Sequence, residues 1–159
     1  MKTPRDHGPR DPRRATRRGR GASSRTLERA ARAPQAPVHV LFVATPRAFR
    51  ESVAYFTRLL GLTIDTVASV AAALIVLTRE IVDIVVVDDD LEVSSVLAGV
   101  QQRSGPRVLV IVLTVAVTEA EIEQWERAGV FACVPKPFDL RTYRLVLERA
   151  VAAVRTWRT

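Results

Sequence analysis

Cysteine and histidine are almost missing from this chain of 159 residues, and their scarcity removes whole classes of chemistry. The single cysteine, Cys133, has no partner for an internal disulfide, and with only two histidines there is no cluster with metal-ligand spacing. That usage fits a reducing, cytoplasmic setting. No glycine-rich phosphate loop follows the first apolar run, where Ala44 to Arg47 offers only a proline-bearing turn, so a flavin- or nucleotide-binding enzyme is disfavoured. Long apolar runs are lacking too, since Val108 to Leu113 is far too short to span a bilayer. Aromatic residues are sparse, and Trp125 and Trp157 read as core-edge and tail contacts rather than a binding platform. The expectation is a soluble protein that is not an enzyme.

Basic charge is present but unevenly placed. The net charge of +7 hides a balance of +8 over residues 1–37 and −1 over residues 38–159. The front segment is rich in Arg, Pro, Gly and Ala, with Leu27 its only large aliphatic residue after Met1, so it cannot bury enough surface to offset its ordering entropy. A disordered basic tail is expected over 1–37, with at most a short helical turn within Ser24 to Ala33. Its Arg13 to Gly21 cluster can meet phosphate backbones or anionic lipid through charge alone, in a salt-sensitive and sequence-blind way. A solvated tail without binding function is the plainer reading.

The 48% hydrophobic content is ample for one core, and residues 38–159 read as one domain. Its centre is the stretch Ile81 to Asp90. There the β-branched run Ile84 to Val87 ends abruptly in Asp88, Asp89 and Asp90. A strand apolar on both faces lies inside a sheet covered on both sides, and the C-terminal ends of such strands are where open α/β sheets place ligands. The plain alternative is a loop in which Asp90 or Ser94 caps the next helix. Around this centre, Val38 to Val43, Leu62 to Val67, Arg107 to Thr114 and Val130 to Val134 read as further strands, Leu62 to Val67 alternating like an edge strand.

Helices are expected between them. Pro46 suits a first turn before Phe49, Val53, Phe56 and Leu60, with Gly61 as the stop. Ser69 caps a second helix that ends near Arg79, and Leu91 to Gln102 makes a third. Thr118 and Glu121 form a capping box before a helix stopped by Gly129, and Asp139 caps a last one along Tyr143, Leu147, Ala150, Val151 and Val154. Five strands alternating with five helices imply right-handed crossovers and a doubly wound parallel sheet with helices on both faces.

Asp83 to Asp88, Val110 to Thr114, Gly129 and Lys136 to Phe138 together resemble the receiver domain of bacterial two-component response regulators, over Val38 to about Val154. Arg50, Gly61 and Ala72 to Leu74 fall in step with that pattern. The resemblance implies a flavodoxin-like sheet of strand order 2-1-3-4-5 and a catalytic set of Asp88 as phosphoacceptor, Thr114 as the hydroxyl turned toward the phosphoryl oxygen, and Lys136 as its ammonium partner. It also implies a cis peptide before Pro137 and a sensor kinase or other signalling protein as partner. The donors suit an acyl phosphate, whose concentrated negative charge needs an ammonium, hydroxyl or amide groups, and usually a divalent cation.

The chain departs from this pattern at the cation. Receivers hold magnesium with an acidic pair after the first strand, and Ala44 and Thr45 stand in those places. No cofactor is therefore expected and Mg2+ should bind weakly. Asp89 should point away from Asp88 along the pleat, leaving Asp90 as the better substitute ligand. Leu91 to Val96 lacks the usual Pro-Gly loop, and Cys133 replaces the aromatic switch of the fifth strand, where it reads as a small buried thiol. Taken singly, Thr114 is an ordinary strand-end residue and Lys136 a solvated loop charge. Two readings follow. One is a stand-alone receiver-like signalling module, degenerate at its metal site, that acts through contacts of its last two helices and fifth strand. The other is a nucleic-acid- or anion-binding protein that acts through its Arg-rich tail, with the receiver-like fold as a dimerisation platform.

Overall fold

The computed structural model describes residues 36–115 and 118–159, so the expected basic tail and its short helix lie outside the described residues apart from positions 36 and 37. Five strands alternate with five helices along the chain: β1 His39–Val43, α1 Arg47–Leu59, β2 Thr63–Val67, α2 Val70–Arg79, β3 Ile84–Asp88, α3 Val93–Gln101, β4 Leu109–Thr114, α4 Glu119–Arg127, β5 Ala132–Pro135 and α5 Leu140–Arg158. All strands are parallel in the order β2-β1-β3-β4-β5, the doubly wound, flavodoxin-like arrangement. The element β3, which ends in Asp88, is completely buried and runs between β1 and β4.

The pleat divides the core into two layers. Val40, Phe42, Ile84, Val86, Ile111 and Leu113 face α1 and α5, while Leu41, Val43, Val85, Val87, Val110 and Val112 face α2 and α3. A polar contact sits inside the first layer. The buried Thr57 hydroxyl donates to the Val53 carbonyl and lies 3.1 Å from the Tyr143 hydroxyl, joining α1 to α5. At the opposite end of the sheet from Asp88, Asp83 accepts from the His39 amide and takes both oxygens to Arg158 at 2.7 Å.

Local chemistry starts and stops these elements as the sequence indicates. The Ser69 side chain accepts from the Ala72 amide, Thr118 and Glu121 form the reciprocal capping box, and Asp139 accepts from Thr142. Gly61 and Gly129 follow α1 and α4 with φ of 77° and 99°, where a side chain would be strained. Some boundaries differ. Helix α3 begins at Val93 rather than Leu91 because residues 89–91 are spent in a turn, with the Leu91 amide bonded to the Asp88 carbonyl. Neither Asp90 nor Ser94 caps it; Glu92 holds the N-cap position without a side-chain bond. Strand β5 begins at Ala132 because the Val130 amide still closes the end of α4 on the Trp125 carbonyl.

Candidate functional site

Strand ends bring the chemistry together. Asp88 is the last residue of β3, Thr114 the last of β4, and Lys136 follows β5 in a loop whose Lys136–Pro137 peptide is cis. The Lys136 amide bonds the Thr114 carbonyl at 2.7 Å, which holds that loop against the end of β4. Its Nζ then reaches Asp88 Oδ1 at 2.5 Å and Asp89 Oδ1 at 2.7 Å, with Asp90 Oδ1 further off at 3.7 Å. Asp88 is 3% exposed, so its carboxylate is desolvated and faces a single ammonium.

Of the three residues singled out in the sequence, Asp88 and Lys136 are in direct contact, whereas Thr114 lies on the side of the sheet that Asp89 continues. The pleat explains this assignment. Thr114 and Asp89 each continue the side of the sheet lined by Val110, Val112, Val85 and Val87, while Asp88 falls on the side of Ile84 and Val86. Asp89 also accepts from the Val115 amide at 2.9 Å.

The expectation that Asp89 stands away from Asp88 is corrected. The carboxyl groups of Asp88, Asp89 and Asp90 each offer an oxygen within 4.8 Å of the others. The strand ends here, so side chains from both faces of the sheet fold over its edge onto one ammonium. Burial pushes the Asp89 carboxyl up, but the Lys136, Thr114 and Val115 donors outweigh it and hold the group below the ordinary carboxylate value. Burial likewise opposes the Lys136 charge, and Asp88 and Asp89 more than compensate, leaving the ammonium above its usual range. A run of three aspartates beside a strand-end threonine was the available signal for Asp89; the bridging lysine, far away in sequence, was not.

On the neighbouring strand, β1 ends before Ala44, which is fully buried, and Thr45. Neither carries a carboxylate. Arg50 on α1 donates to the Ala44 carbonyl at 2.7 Å and also to that of Thr45. Magnesium asks for an octahedron of oxygens at about 2.0–2.1 Å. Here the acidic oxygens of β3 surround the Lys136 ammonium, and the carbonyls after β1 meet a guanidinium. The arrangement answers these groups with the chain's own cations, Lys136 and Arg50.

Elsewhere, Cys133 on β5 is half-buried rather than fully enclosed, and burial, aided by Glu126, pushes its thiol up, away from the reactive thiolate. His39, Asp65 and Glu80 form a second group, with His39 Nε2 2.8 Å from Asp65 and Nδ1 2.8 Å from the Ile81 carbonyl. It lies at the other end of the sheet from Asp88.

Comparison with known proteins adds to this geometry. No protein-family model matches the chain, and no curated protein matches it either. Many solved structures do. The chemotaxis protein CheY4 of Vibrio cholerae is 22% identical with a TM-score of 0.65, covering 72% of this chain and 99% of its own. The receiver domain of an HD domain-containing protein from Pseudomonas fluorescens is 21% identical with a TM-score of 0.67, covering 76% and 99%. The receiver domain of a sensor histidine kinase from Pseudomonas aeruginosa, with a magnesium ion coordinated in its active-site cleft, is 24% identical with a TM-score of 0.63, covering 74% and 99%. The fold of this chain is that of the receiver domains of response regulators.

Proposed function

We propose that the chain is a receiver-type module of two-component signalling that works through protein contacts, with Asp88 as a phosphoacceptor-like carboxylate that takes a phosphoryl group weakly or not at all. The observation that carries this reading is the pairing of Asp88 with Lys136 at the rim of β3 while β1 leads into Ala44 and Thr45 instead of carboxylates. In this reading Asp88 is the group that would attack phosphorus, Lys136 neutralises it and would follow the transferred charge, and Thr114 supplies a hydroxyl at the same rim. Magnesium binds weakly because the acids are already answered by Lys136 and the carbonyls after β1 by Arg50. Bound there, a divalent cation would supply charge neutralisation only.

The partner is a sensor kinase or another signalling protein in the cytoplasm, met through α4, β5 and α5, where Leu140 and Leu145 are more than half exposed. A homodimer through the same surface is compatible with this reading. Residues 38–159 form the signalling domain and residues 1–37 a basic appendage. No helix among the described residues is long and apolar enough to cross a membrane.

Acetyl phosphate tests the proposal. Transfer would form a bond from an Asp88 carboxylate oxygen to phosphorus as the bond from phosphorus to the acetyl oxygen breaks and acetate leaves. Incubation with acetyl phosphate and Mg2+ followed by intact-mass measurement is expected to show little or no added phosphoryl mass. Stoichiometric addition that disappears in Asp88→Asn overturns the reading. The concentration of positive charge in residues 1–37 favours a second reading, nucleic-acid binding through that segment, with the folded part as a dimerisation platform.

A further inference from the structure

We propose that the carboxylate of Asp89 is an internal ligand of this fold's anion site, occupying the donors that a phosphoryl group on Asp88 would otherwise recruit. The inference rests on the assignment of Lys136 as one of those donors. Two groups of different chemical kind converge on Asp89: the Lys136 ammonium, ion-paired to Oδ1 at 2.7 Å, and the Val115 amide, which donates to Oδ2 at 2.9 Å, with Thr114 on the same side of the sheet. An ammonium and an amide N–H brought from the loop after β5 and the end of β4 make an oxyanion-recognition set, not a hydrophobic or cation-binding one. Asp89 completes it with a charge already attached to the chain.

Tethering decides the competition. Asp89 is one residue from Asp88, so its carboxylate meets these donors at a high effective concentration, whereas a free anion must displace it. A phosphoryl group formed on Asp88 would have to expel Asp89, and the displaced charge would stay beside it. Accordingly the Lys136 ammonium and the Val115 amide are engaged without any added ligand. The pleat shared by Thr114 and Asp89 makes this a property of the sheet geometry, so an uncharged residue at position 89 should open the site.

Inorganic phosphate is the probe, added to the 15N-labelled full chain in the presence of a chelator so that no divalent metal contributes. The wild-type Val115 and Thr114 amides are expected to stay unmoved. In Asp89→Ala they should shift saturably, at phosphate concentrations at least roughly tenfold below any wild-type response, and the shift should vanish when Lys136→Met is added. Asp89→Asn, which keeps the side-chain shape, carries the same expectation if the alanine variant does not fold. Equal phosphate responses in wild type and variant, or no response in a folded variant, would each overturn the proposal. None of these readouts needs Asp88 to react, so phosphorylation of Asp88 would count against the proposed function while this titration stands or falls separately.

Discussion

Replacing Lys136 by methionine keeps most of the side chain's apolar bulk and removes its charge, leaving Asp88 and Asp89, with side chains only 4% and 15% exposed, facing each other without a counter-ion. Breaking a buried ion pair from one side costs about 3–5 kcal/mol. Lys136 is itself 18% exposed and water reaches the open Asp90, so the expected loss is nearer ~2–4 kcal/mol, or roughly 8–16 °C in Tm for a domain of this size. The pH dependence carries the sign. Asp89 is held below its ordinary value, so its share of the stability is present above that value and lost as pH falls through the lower folded one. Lys136 is held above 10.5, so its share is present below 10.5 and lost as pH rises through the raised value. The gap between wild type and Lys136→Met should therefore be full from about pH 5 to 10 and narrow at both ends. Urea unfolding followed by circular dichroism across that range measures it. A gap below about 1 kcal/mol at neutral pH, or one unchanged at acid pH, would refute the argument that Lys136 neutralises buried carboxylates.

Other perturbations test separate parts of the structure. Tyr143 is deeply buried and its hydroxyl is pushed up to about 12 by that burial, the Thr57 contact opposing it; the stability tied to its neutral form is complete below pH 10 and lost as pH rises through about 12. Tyr143→Phe should remove that alkaline transition, seen by tyrosinate absorbance, at a cost of about 1 kcal/mol at neutral pH. Leu147→Ala, at a completely buried position of α5, should cost about 2–5 kcal/mol in urea unfolding. Asp83→Ala should cost about 2–4 kcal/mol by leaving Arg158 and the His39 amide without this acceptor, whereas Arg47→Ala, at an exposed pair on α1, should leave the urea midpoint unchanged. Deleting residues 1–37 should abolish any nucleic-acid affinity in a filter-binding assay; affinity that survives the deletion would eliminate the second reading.

Much of the fold was legible because its punctuation is local. Ser69, Thr118 and Asp139 sit at helix starts where their side chains have amides to satisfy, and the unbroken run Ile84 to Val87 has only one comfortable place, between two other strands. The misplaced boundaries are those decided by partners distant in sequence or by a turn without Gly or Pro, as at Asp89 to Leu91. The site divides the same way. The strand-end place of Asp88 was legible from the apolar run before it, Lys136 entered only through the resemblance, and the side of the strand on which Asp89 lies followed from the pleat. What the pleat could not reveal is that a lysine from beyond β5 reaches over the strand end and gathers carboxylates from both sides.

The two outermost strands of the sheet are poor templates for adding another. β2 is five residues long and carries the charged Asp65, and β5 is four residues long and ends in Pro135, which has no amide hydrogen to offer. Neither margin invites backbone-to-backbone zippering between molecules. Contact between copies then falls to surface side chains, which can change without disturbing the sheet.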